Sequence, residues 1–151
     1  MRAARVAAAG RSDAISIDDI PEPQPAAGQV LIRVAYAALN PLDTHARALR
    51  VQWMHPGFPF TLGFEFAGEV VGCGDDVDDS WIGRRVACSA QWGGCASLAV
   101  ADVKSLVAVP DGMDWQTAAT FSTTAYTAWL LIHSAAKVTP GQTVAIHSAA
   151  G

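Results

Sequence analysis

Asn40 and Thr124 are the polar residues whose placement could do chemistry beyond shaping a turn. Asn40 closes the apolar run 29–38 (QVLIRVAYAA) and stands directly before Pro41. An asparagine before proline is ordinary turn chemistry; the alternative is an amide that faces a ligand. Asp43 reads first as the cap of a helix begun near Pro41, since proline suits a first turn, and second as a catalytic carboxylate. Thr124, within 122–126 (STTAY), offers one hydroxyl that could cap a helix or touch a ligand. Trp53, Phe60, Phe64 and Trp92 are either core residues or the walls of a pocket for a flat molecule. His45, His55, His133 and His147 show no ligand spacing to one another. Cys88 and Cys95 stand too far apart for a zinc knuckle, and free cysteines are most often buried.

Such side chains need a scaffold, and the chain has the material for one. Of its 151 residues 51% are hydrophobic and only 16% charged, which excludes a disordered chain. The length supports one full domain rather than two. A net charge of −4 with scattered cations argues against a nucleic-acid or anionic-membrane footprint. Three cysteines, Cys73, Cys88 and Cys95, do not make a secreted disulfide framework. The alanine-rich start does not read as a signal peptide, and the apolar run 125–132 is too short to cross a bilayer. A soluble, cytoplasmic protein is expected.

After the proline-rich connector 21–28, short strands are predicted at 29–38, 66–71, 85–89, 97–100 and 105–109, separated by glycine, proline and aspartate. That spacing predicts a small β-barrel or sandwich. Beyond Pro110 the texture changes. Asp114 can cap a helix from Trp115, and 115–136 reads as two helices broken near 122–124. Pro140–Gly141 makes a turn, and 143–147 (TVAIH) reads as one buried strand of a parallel sheet.

Four segments carry a resemblance: 20–23 (IPEP) with 28–34 (GQVLIRV), 38–44 (ALNPLDT), 59–70 (PFTLGFEFAGEV) and 138–151 (VTPGQTVAIHSAAG). Their order and separation resemble the medium-chain dehydrogenase/reductase superfamily, in its zinc-independent quinone oxidoreductase-like branch. The resemblance spans essentially the whole chain. It implies a mainly β fold with α: a chaperonin-10-like β-barrel catalytic domain over 1–121, then over 122–151 a bridging helix and the truncated start of a Rossmann domain. It implies that Asn40 and Asp43 serve catalysis. Asn40, Thr124, Ala149, Ala150 and Gly151 would meet the nicotinamide cofactor, and Trp53, Phe60, Phe64 and Trp92 would line the substrate pocket. Only the first glycine of the family's phosphate-binding turn, Gly151, is present.

In the zinc-dependent relatives the ligand positions fall on Asn40, Phe64 and a site near Thr120, so no metal is expected. Without that Lewis acid, quinones and α,β-unsaturated carbonyls are the implied hydride acceptors, with NADPH as cofactor and NADH possible. Many relatives carry a tyrosine after the asparagine–aspartate segment. Here 47–53 (RALRVQW) has none, which leaves the proton donor open. The implied partners are a small-molecule substrate and, at full length, a second copy in a homodimer, with no nucleic acid and no membrane. The 151-residue chain alone is expected to be inactive. Two competing readings are a zinc-dependent alcohol dehydrogenase and a free-standing, non-catalytic binding module.

Overall fold

The structure, a computed structural model, describes every residue except Gln91 and 148–151. Its eight strands are β1 (Arg2–Val6), β2 (Ile15–Asp19), β3 (Gln29–Ala38), β4 (Phe60–Thr61), β5 (Glu65–Cys73), β6 (Arg85–Ser89), β7 (Leu98–Asp102) and β8 (Leu106–Ala108). The helices are α1 (Pro41–Arg47), α2 (Trp115–Ala119) and α3 (Tyr126–Trp129). Wider π-helical turns over Phe121–Ala125 and Leu130–Ala135 flank α3.

Five strands pair antiparallel in the order β7-β3-β5-β6-β8, and three in the order β2-β1-β4. β3 reads in alternation: Val30 and Ile32 are sealed inside while Arg33 faces out, the period of a half-buried strand. They meet Phe66, Val70, Val86, Cys88, Ala99 and Ala101 in the main core. β5 is buried on both faces. Phe66 and Val70 enter that core, while Ala67 packs outward with Ala87 against Ala118 and Ala119 of α2. Small residues on both sides let this helix lie close against the strands. Gly68 has a similar reason: a Cβ there would strike the carbonyl of Arg33 on β3, beside the register shift between Val34 and Tyr36. A third core, of Val6, Ala46, Phe60 and Leu62, fastens α1 to the small sheet.

Four expectations need correction. The first fifty-odd residues hold β1 and β2 as well, and β1 pairs with β2 and β4 and makes a bridge from Ala3 to Ala96. Its alanines have little β-character of their own, and pairing on both edges compensates. The helical break falls at Thr120, ahead of the predicted 122–124, and from Phe121 to Ala135 the helical turns run on without interruption. Among the described residues no strand forms at 143–147 and none pairs with it. Val144 and Ile146 are 50% and 68% exposed rather than buried.

Candidate functional site

The cleft lies where the end of β3, the start of β5 and the turn after α2 converge. β3 and β5 place Ala38 opposite Glu65, so Asn40, two residues past that pair, stands over the Glu65 side chain. Glu65 is fully enclosed. Its Oε1 accepts the backbone N–H of Thr123 at 2.6 Å and of Thr124 at 3.2 Å, and the Ser122 hydroxyl at 3.4 Å. Its Oε2 accepts from Asn40 Nδ2 at 3.3 Å and lies 3.0 Å from Thr124 Oγ1. The backbone donors are the free N–H groups at the beginning of the 121–135 helical stretch, which need acceptors from outside the helix. A carboxylate from the strand satisfies them and meets the positive end of the helix dipole.

Thr124 is therefore not the helix cap that its position suggested. It sits inside the first turn, and its hydroxyl points across to Glu65 and to Asn40 Oδ1, 3.2 Å away. The Thr123 hydroxyl is buried with no partner among the described residues. Asn40 ends the strand and begins α1. Its backbone N–H donates to Asp43 Oδ2 at 2.9 Å, while its side chain is left for the cleft. Asp43 is 97% enclosed (3% exposed), and its other oxygen accepts from Gly63 N–H at 2.9 Å. Both oxygens are engaged by backbone, so the geometry makes Asp43 a fastener between α1 and the turn leading into β5. Gly63 has φ +97°, and a Cβ there would strike the Cys95 backbone.

The four aromatic candidates separate. Phe64 and Trp92 line one cavity of about 360 Å³, with Ser89, Ala90 and Asp102 among the other walls. Their rings meet edge to face at 6.2 Å. Trp92 is held by its indole N–H, which donates to the Met54 carbonyl at 2.9 Å. Phe60 is a core residue, not a wall. It is 4% exposed and packs edge-on against Trp92 at 5.3 Å and His55 at 5.1 Å. Trp53 is 83% exposed and lines no part of this cavity. Ala149, Ala150 and Gly151 lie outside the described residues.

Sequence reasoning passed over Glu65 as a site residue. The signal that would have found it is an acid inside an otherwise apolar strand, since buried carboxylates are rare unless paired. The thiols are free and poorly suited to nucleophilic work. Burial, with the Glu65 charge adding to it, pushes Cys88 up to about 12. Burial and Asp43 push Cys95 up to about 11. Among the described residues, no group of three or more His, Cys, Asp or Glu side chains is placed to hold a metal ion. No described helix is long and apolar enough to cross a membrane.

Residues 26–136 match the alcohol dehydrogenase GroES-like domain. The quinone oxidoreductase of Rattus norvegicus is 31% identical over 153 aligned positions, covering 100% of this chain and 46% of that protein. The chain thus spans about half the length of the curated relative it matches. The solved quinone oxidoreductase of Coxiella burnetii superimposes with a TM-score of 0.85 at 27% identity, covering 93% of this chain and 46% of the other. A mycobacterial protein solved in complex with NADPH gives a TM-score of 0.85 at 28% identity, covering 93% and 43%.

Proposed function

The chain belongs to the alcohol dehydrogenase GroES-like domain family, in the quinone oxidoreductase-like branch of the medium-chain dehydrogenase/reductase superfamily, and from that premise we propose that it is the substrate-side portion of a zinc-independent, NADPH-dependent reductase of quinones or α,β-unsaturated carbonyls. The observation that carries the proposal is the meeting of Asn40 and Thr124 on the buried Glu65; Phe64, the residue before it, lines a cavity of its own.

The residues fit a nicotinamide nucleoside. Asn40 keeps an unused amide hydrogen, and the Thr123 hydroxyl is a buried polar atom without a partner. Asn40 and Thr124 would hold its polar edge. The bound cofactor supplies the hydride. What the chain itself contributes is orientation. Asn40 and Thr124 are neutral and Asp43 is engaged on both oxygens, so none of the three gives the proton that completes reduction, which comes from water or another group. The zinc-free reading is supported by the resemblance, which puts the ligand positions of zinc-dependent relatives on Asn40, on Phe64 and near Thr120, none of which brings a thiolate or imidazole.

The experiment is steady-state oxidation of NADPH by the protein that carries this chain, with simple quinones and enones as acceptors, after chelation and with zinc content measured. Turnover at substoichiometric zinc supports the reading. Stoichiometric zinc with oxidation of plain alcohols overturns it. The 151-residue chain by itself should neither turn over NADPH nor bind it tightly, and a micromolar Kd in a titration would contradict this. The protein's other partners in this proposal are a second copy of itself and a small-molecule substrate, in the cytoplasm, with neither nucleic acid nor membrane.

A further inference from the structure

We propose that Glu65 is the positioning residue of the cleft: it sets the hydrogen-bond polarity of Asn40 and Thr124 so that the pair receives an O–H or N–H donor of the bound ligand. Only the identity of that ligand, a nicotinamide nucleoside, rests on the reductase reading.

The polarity follows from counting hydrogens. An ionised carboxylate only accepts, and every polar group around Glu65 is a donor: two backbone N–H groups, two hydroxyls and one amide. The Asn40 amide is oriented by this contact. With Nδ2 turned to Glu65 Oε2, its Oδ1 faces Thr124. The Thr124 hydroxyl has one hydrogen and two acceptors in reach, Glu65 Oε2 at 3.0 Å and Asn40 Oδ1 at 3.2 Å. The charged acceptor is the nearer, and charge-assisted bonds are the stronger, so the hydrogen goes to Glu65. Asn40 Oδ1 and Thr124 Oγ1 then face each other with no hydrogen between them. Two adjacent acceptors are satisfied by a donor from outside, such as a ribose hydroxyl or a carboxamide N–H.

Glu65→Gln tests this because it inverts the pattern. The Gln oxygen stays with the two backbone N–H groups, which leaves its NH2 facing Thr124 and Asn40. Thr124 must then accept, and the Asn40 amide, whose own NH2 faced the lost oxygen, turns over to put Oδ1 toward the new NH2 and Nδ2 toward Thr124, so the acceptor pair is gone. In the protein that carries this chain, KM for NADPH should rise about tenfold in Glu65→Gln, the loss of roughly one hydrogen bond. Thr124→Ser should stay near wild type, and Thr124→Val should lose about as much as Glu65→Gln. The double variant Glu65→Gln/Thr124→Val should be no worse than either alone, because Glu65 acts through Thr124. Additive losses would overturn the proposal. A readout independent of turnover is the amide spectrum of the 15N-labelled protein that carries this chain. In Glu65→Gln the Thr123 N–H should move upfield as a neutral acceptor replaces the anion, and the Asn40 side-chain pair should shift. An Asn40 pair that does not move overturns the positioning role. A wild-type protein that ignores NADPH overturns the reductase reading alone, and the spectrum still decides the role of Glu65.

Discussion

In the five-stranded sheet Val30, Ile32, Phe66, Val70 and Val86 are fully enclosed, whereas along 121–146 Tyr126, Trp129, Leu131, Val144 and Ile146 each leave half or more of their surface open. Both regions spend similar residue types, and they bury them to opposite degrees. The sheet encloses its own apolar side chains. The helical stretch is anchored at its start, by Glu65 on Thr123 and Thr124 and by Asp114 on the turn before it, while its far side offers a row of aromatics. Tyr126 and Trp129 stack at 6.4 Å, and Trp129 leans on His133 at 5.0 Å. Stability should therefore be concentrated in the sheet and fall off toward residue 147.

Truncating the sheet core gives the largest test of that contrast. Phe66→Ala should cost about 3–5 kcal/mol of unfolding free energy, measured by denaturant titration. A loss below about 1 kcal/mol would mean that the sheet is no better packed than the helix. Next comes alkaline pH. The folded thiol of Cys88 is raised to about 12 from 9.0, so folded protein keeps a proton that the unfolded chain gives up. Its stabilisation is complete below pH 9 and should fall as pH rises toward 12. Cys88→Ala should flatten that fall, followed by thermal melts across the alkaline range.

A smaller effect lies at the junction. Asp114 accepts from Thr117 N–H at 2.7 Å, and Asp114→Ala should lower stability by clearly less than Phe66→Ala does. Hydrogen exchange should show the loss confined to α2 and the turns after it. The same carboxyl is held below its usual range by the Thr117 hydrogen bonds, so the cap is intact above the unfolded value and is lost as pH falls through the lower folded one. Smallest of all, Trp129→Ser should change stability by no more than about 0.5 kcal/mol, because half of this ring is already in water. A cost as large as that of Phe66→Ala would show the comparison to be wrong.

Much of this division was legible from residue order. The alternation of Val30 and Ile32, the glycines around 63–74 and the Asp114 cap are local signals, and each predicted its element. The family resemblance rested on the same stretches and pointed to Asn40 and Thr124, which the fold brings within 3.2 Å although they stand 84 positions apart. What could not be read locally was pairing. β1 is a strand because two others flank it, and among the described residues none pairs with 143–147. Phe60 and Phe64 look alike in sequence, four residues apart, yet one closes the core beside His55 and the other lines a cavity. Glu65 was visible as a residue, but its five donors come from two segments, Asn40 and 122–124, that only the tertiary fold assembles.

Asp43 binds the backbone of Asn40 with one oxygen and that of Gly63 with the other, at 2.9 Å each. Mechanically this ties the rim that carries the amide to the rim that carries Phe64 through a single rivet made of backbone contacts. Side chains at position 64 can then be exchanged over evolutionary time while position 40 stays in register. A lineage could retune which molecules enter without rebuilding the place where they are held.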